Sequence, residues 1–157
     1  MRVQWASLSL VAILLLPGLA LAQVAPDWFG SWQLDVSRST YSAGPIPYVR
    51  GKWIIRREDD GRILMVYEQV GVRGGVTHLE WKGRFDGADY RLHGPDTLVT
   101  YAYSVVNERT LGLLVKVDGH QTATATIVLS PDGTITATTR TATARGTTTA
   151  ASVYYKR

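Results

Sequence analysis

The chain has 157 residues, no cysteine and a formal charge of +4. Without cysteine there is no disulfide staple and no lipid-attachment thiol, so a folded domain must be held by burial alone. The basic residues are scattered among acids, and the one cluster (Arg50, Lys52, Arg56, Arg57) runs into Glu58, Asp59 and Asp60; this is a solvated surface and excludes a nucleic-acid stripe.

Residues 1–22 read as a cleaved secretion signal. Arg2 carries the positive charge, residues 8–21 form the apolar run, and Ala20-Leu21-Ala22 is a small-residue cleavage site. The run is short for a membrane span, and Pro26 and Asp27 follow it closely. The expectation is a periplasmic or secreted protein with no membrane span. Its mature chain starts near Gln23 and keeps about 135 residues, the size of one domain with one core.

Residues 23–29 form a short leader. In residues 30–36 Trp32, Leu34 and Val36 alternate with Ser31, Gln33 and Asp35, the period of a half-buried strand. Residues 37–47 hold Gly44, Pro45 and Pro47 and read as a connection, with room for one helical turn around Ser39-Thr40-Tyr41. Residues 49–58 alternate with Trp53 inward. Asp59-Asp60-Gly61 turns the chain into a return strand at 63–70, and residues 71–75 form a glycine-rich loop.

The second half repeats this grammar. Leu79, Trp81, Gly83 and Phe85 share one face of residues 76–85, and a short strand follows at 90–92. Tyr101, Tyr103 and Val105 share a face of 97–106; Leu111, Leu113 and Val115 share one of 110–117. Asp118-Gly119 is a hairpin signal. Ala123, Ala125 and Ile127 alternate with threonines in 120–129, and two more strands, 134–141 and 147–155, complete the series with Ile135, Ala137 and Val153 inward.

About ten strands joined by tight turns, with no helical periodicity, form a meander. A meander of eight to ten strands removes its edges by closing. The predicted fold is therefore an all-β, antiparallel up-and-down barrel. A two-sheet sandwich needs longer crossovers than this chain offers outside residues 37–47.

Gly30-Ser31-Trp32 on a first strand behind a signal peptide resembles the G-x-W signature of lipocalins and the wider calycin group. That resemblance implies that Gly30 and Trp32 are a structural plug at the closed end, under a basic side chain from near the last strand, Lys156 or Arg157. The longer pattern adds residues 33–39, Gly44-Pro45-Ile46-Pro47, Asp86-Gly87-Ala88-Asp89-Tyr90 and Gly94-Pro95-Asp96-Thr97. It resembles a family of small exported bacterial lipocalin-like proteins of unsettled function. Of the second lipocalin signature only Ala88-Asp89-Tyr90 is an echo.

The inward set is uneven in size: aromatics come from the first two thirds, alanines from the last strands. Either the two fill each other, or the small wall leaves an apolar cavity. In the second case Trp53, Tyr67, Trp81, Tyr101 and Tyr103 are the candidate ligand-binding residues, and residues 37–47 and 71–75 flank the mouth. The expected partner is one small apolar or amphipathic molecule, bound by a monomer without a cofactor. His78, His93 and His120 read as surface residues and not as a metal site. The aspartates are turn formers, and no catalytic set is placed. Two other readings follow: a protease-inhibitor-type interaction module using residues 23–29 as an arm, and a cavity enzyme (an isomerase or cyclase) using the tyrosines.

Overall fold

In the computed structural model, which describes residues 23–157, the turns expected from Asp, Gly and Pro each join two antiparallel strands. The expected signal peptide lies outside the described residues. The strands are β1 (Gly30–Tyr41), β2 (Tyr48–Arg57), β3 (Ile63–Gly71), β4 (Val76–Gly83), β5 (Tyr90–His93), β6 (Val99–Asn107), β7 (Thr110–Val117), β8 (His120–Leu129), β9 (Thr134–Thr143) and β10 (Gly146–Lys156). Each pairs with its predecessor, and β10 returns to β1, so the sheet closes into a ten-strand barrel. Closure leaves no free sheet edge. The β7–β8 turn shows the local logic: Asp118 and Gly119 both take positive φ, +49° and +81°, the turn that matches strand twist.

Two elements differ from the sequence expectation. The first is residues 37–41, which continue β1 and form no helical turn. The pairing of β1 with β10 shifts register between Asp35 and Thr40, a bulge. Local hydrogen bonds build it. The Asp35 carboxylate accepts from the Ser37 N–H (3.1 Å), the Ser37 hydroxyl (2.6 Å) and the Arg38 N–H (3.2 Å). The buried Ser39 hydroxyl donates to the Asp35 carbonyl (2.6 Å) and accepts from the Val153 N–H (2.9 Å), replacing the interrupted ladder. The connection to β2 therefore shrinks to residues 42–47.

The second difference is the phase of β10. Val153 stands opposite Asp35 and Thr136, on the outer face, and the bulge covers it there. Tyr154, opposite Leu34 and Ile135, is the inward residue. In a Thr-rich strand both faces have similar polarity, and a one-residue slip exchanges them.

The leader is not a free arm. Pro26–Trp28 form a single 3-10 turn, the Ala25 N–H donates to the Glu108 carbonyl (2.8 Å), and Trp28 is fully buried. Trp28 and Trp32 together close this end of the barrel. The Trp32 indole N–H donates to the Trp28 carbonyl (3.0 Å), and the Trp28 indole N–H donates to the Glu108 carbonyl (2.9 Å). Lys156 lies over the Trp32 ring, 5.4 Å from its centroid, and its ammonium donates to the Asp27 carbonyl (3.0 Å). Gly30 holds φ at +141°, and a Cβ there would sit 2.9 Å from Lys156 Cε. Only glycine leaves room for the lysine stem at that backbone conformation without strain.

Trp32→Ala is expected to cost about 3–5 kcal/mol, from lost burial plus a cavity. Lys156→Ala should cost only about 0.5–1 kcal/mol, the scale of an exposed cation–π contact. Urea unfolding of both variants checks the order.

Candidate functional site

Just above the plug the interior is solid. Met65, Trp81 and Leu111 have no exposed surface, and Tyr103 is 1% exposed. Trp81 is the centre of this layer. Its ring meets Tyr103 edge to face at 4.8 Å and stacks on Phe85 at 6.1 Å. Its indole N–H donates to the Tyr101 carbonyl (3.1 Å). Phe85 lies just beyond β4 and still packs inward, as the alternation implied.

Above this floor the two walls differ. Strand pairing sets Trp53 opposite Tyr67 and Tyr67 opposite Leu79, with Tyr101 on β6. Half-way round the ring, pairing sets Leu113, Ala125, Thr139 and Ala150 in one row, and Ile127, Ala137 and Ser152 in the row below. The ring order puts β8 five strands from β3, so the alanine wall faces the tyrosines across the barrel. Tyr67 and Tyr101 have heavily desolvated hydroxyls, yet both side chains keep accessible surface. Leu113, Val115, Ala137 and Ser152 are likewise half-buried. These inward side chains keep accessible surface, so the upper interior is packed less tightly than the floor.

Five aromatic residues pack against one another at this level. Trp53 stacks on Tyr67 (centroids 5.5 Å, 24°) and meets Tyr154 edge to face (5.5 Å, 65°). Tyr101 meets Tyr67 at 6.3 Å and Tyr103 at 6.1 Å. The Tyr67 and Tyr103 hydroxyls are 2.5 Å apart, and the Tyr67 hydroxyl donates to Met65 Sδ (3.1 Å). Burial pushes Tyr101 and Tyr154 up to about 12 and Tyr67 well above the usual phenol range, with the neighbouring tyrosines adding to the shift in each case. Burial also raises Tyr103. All four are neutral at physiological pH. The Trp53 indole N–H is buried with no protein acceptor, an arrangement that costs about 1–3 kcal/mol.

All five expected aromatics thus gather in one interior, but at two depths: Trp81 and Tyr103 belong to the solid floor, while Tyr67 and Tyr101 keep accessible surface and Trp53 lies against Tyr67. Tyr154 went unnoticed from sequence because of the phase slip in β10. Trp28 also did, because a three-residue helical turn has no period to read. His78, His93 and His120 are exposed; His78 lies 3.0 Å from Glu80 and 3.6 Å from Glu68. Among the described residues no cluster of metal-ligating side chains is assembled. Several clefts lie outside the barrel. One of about 510 Å³ is beside Lys156 and Arg109, and one of about 550 Å³ lies between Arg57, Arg84 and Phe85.

Two crystal structures of the fluorescent protein UnaG match this fold. The wild-type structure is 15% identical with a TM-score of 0.55, covering 83% of this chain and 97% of that one. A point mutant of the same protein is 14% identical with a TM-score of 0.56, covering 83% and 96%. At that identity the likeness speaks for the fold alone, a closed antiparallel barrel. No protein-family model and no curated protein matches the chain.

The neutral tyrosines set an alkaline limit. Below pH 10 the folded and unfolded chains both keep the phenol protons. From pH 10 through about 12 the unfolded chain ionises while folded Tyr101 and Tyr154 do not, so stability falls as pH rises. Denaturant midpoints measured from pH 8 to 12 should be flat, then drop above pH 10. The drop should be shallower in the Tyr101→Phe variant.

Proposed function

We propose that this is an exported binding protein that takes one small apolar or amphipathic molecule into the upper half of its barrel. The observation that carries the reading is the facing of a small-residue wall (Ala125, Ala137, Thr139, Ser152) against Trp53, Tyr67 and Tyr101 over a solid floor. Pockets of this kind, mostly apolar with a few placed polar groups, hold small ligands. The UnaG likeness supports the architecture and leaves the ligand open.

The mouth lies opposite the Trp32 plug. Residues 42–47 and 72–75 meet there: the Val72 N–H donates to the Pro47 carbonyl (3.0 Å) and the Gly71 N–H to the Gly75 carbonyl (2.8 Å). Both segments are short loops without a helix. The leader is docked against the closed end through Trp28, which disfavours its use as an inserting arm.

Export follows from residues 1–22 and makes the protein a periplasmic or secreted carrier, in keeping with the small exported lipocalin-like proteins its sequence resembles. N-terminal sequencing of protein recovered from outside the cytoplasm should begin at Gln23.

The lumen itself is tested by filling it. In a barrel with free space behind Ala137, Ala137→Leu should change stability by less than about 1 kcal/mol and weaken binding of a naphthalene-type fluorescent probe. In a solid interior the same change should cost about 1–3 kcal/mol through overpacking. Intrinsic tryptophan fluorescence, titrated with the probe, should saturate in the parent protein; no saturable change would reject the reading.

A further inference from the structure

We infer that the lumen selects an uncharged ligand, one whose polar end is a neutral carbonyl group seated among Trp53, Tyr67 and Tyr101, and that it discriminates against fatty-acid anions. This rests on the reading above that the lumen takes a ligand, and it names the class.

The first ground is the charge layout. Among the described residues, every charged strand position of the upper barrel falls on the outer phase. Arg50 and Lys52 flank inward Gly51, and Glu68 follows inward Tyr67. Glu80 follows Leu79, Lys116 follows Val115, and Arg140 follows Thr139. Arg57 and Lys156 sit over Phe29 and Trp32 at the closed end, beneath the solid floor. Arg73 and Arg145 stand exposed in the loops at the mouth. A carboxylate drawn down to the tyrosines would meet no cation there, and an unpaired buried charge is strongly disfavoured.

The second ground is the donor supply. Trp53 Nε1 is a donor only, buried and without an acceptor. It belongs to the ring stacked on Tyr67, whose hydroxyl already touches Tyr103 and Met65 Sδ. An unmatched N–H beside neutral phenols is complementary to a carbonyl oxygen. The desolvation that keeps these phenols protonated acts equally against any other anion at the same depth. A neutral acceptor satisfies the indole without bringing charge into the barrel, and an alkyl chain or ring system above it covers Leu113, Val115 and the alanine wall.

The experiment is calorimetric titration of the mature chain at pH 8 with decanamide and with decanoate, which share a ten-carbon length and differ in charge. The amide should bind at least tenfold more tightly. Tyr67→Phe and Trp53→Phe, which keep an aromatic ring in place, should each weaken amide binding about three- to tenfold and leave the already weak decanoate binding unchanged. Tyr101→Phe replaces either variant that fails to fold. Decanoate binding as tight as decanamide would overturn the inference and leave the carrier reading intact, with Arg73 or Arg145 as the partner of the acid. Amide affinity untouched by all the aromatic variants would overturn the placement of the polar end. Binding of neither molecule, with the naphthalene-type probe also silent, would remove the carrier reading itself.

Discussion

The closed end depends on one contact set: Trp32 under Lys156, with Trp32 tied to the Trp28 carbonyl and Lys156 to the Asp27 carbonyl. β1 and β10 pair over only part of their length, because the bulge between Asp35 and Thr40 interrupts the ladder. β1 pairs with β2 over just four residues, Gly30 to Gln33. The seam where the chain closes on itself is therefore poor in backbone hydrogen bonds next to β9–β10 or β2–β3. Burial of two indoles compensates at that seam. Each indole N–H is satisfied by a backbone carbonyl, so neither tryptophan carries an orphaned donor into the core. Arg109 extends the same knot, donating to the Leu129 and Ser130 carbonyls at 3.0 Å each.

Once that end is solid, ring geometry determines what the other end can be. Ten antiparallel strands enclose a wider interior than eight, and side chains fill it only if large ones meet from all sides. Here they do not. β2, β3, β4 and β6 supply rings, and β8, β9 and β10 supply mainly Ala, Thr and Ser across the interior. Near the floor Ile127, Leu129 and Ile135 compensate, each 2% exposed or less, and the layer packs. In the row of Ile127, Ala137 and Ser152 are smaller and half-buried, and one row higher stand Ala125, Thr139 and Ala150. The change from tight to looser packing thus takes place within single strands.

Hydroxyls give that interior its character. Tyr67, Tyr101, Tyr103 and Tyr154 bring polar atoms into the interior without charge, and burial keeps them protonated. Two of them bond to each other, and one uses a methionine sulfur. The buried indole N–H of Trp53 is the one polar side-chain atom of its kind left unmatched among the described residues. The interior is thereby apolar in area but carries uncharged hydrogen-bonding groups.

The sequence alone determined the strand count, the meander, the plug and the identity of the aromatic wall. Turn residues mark chain reversals, and period-two alternation marks faces, so both are local properties. The resemblance carried by Gly30-Ser31-Trp32 implied a closed end under Lys156 or Arg157, and the geometry puts Lys156 there, 5.4 Å from the ring centroid. What remained illegible was non-local. The β10 phase was misjudged by one residue because threonine suits either face, and only pairing with Leu34 and Ile135 turns Tyr154 inward. The part of the bulge from residue 37 on reads as a connection, because its hydrogen bonds come from side chains and from Val153, 114 residues away from Ser39. The division of the aromatics into floor and lumen was likewise undecidable from the chain. Alternation says that Trp81 and Tyr101 both point inward; only the closed ring shows how much side-chain volume faces each of them.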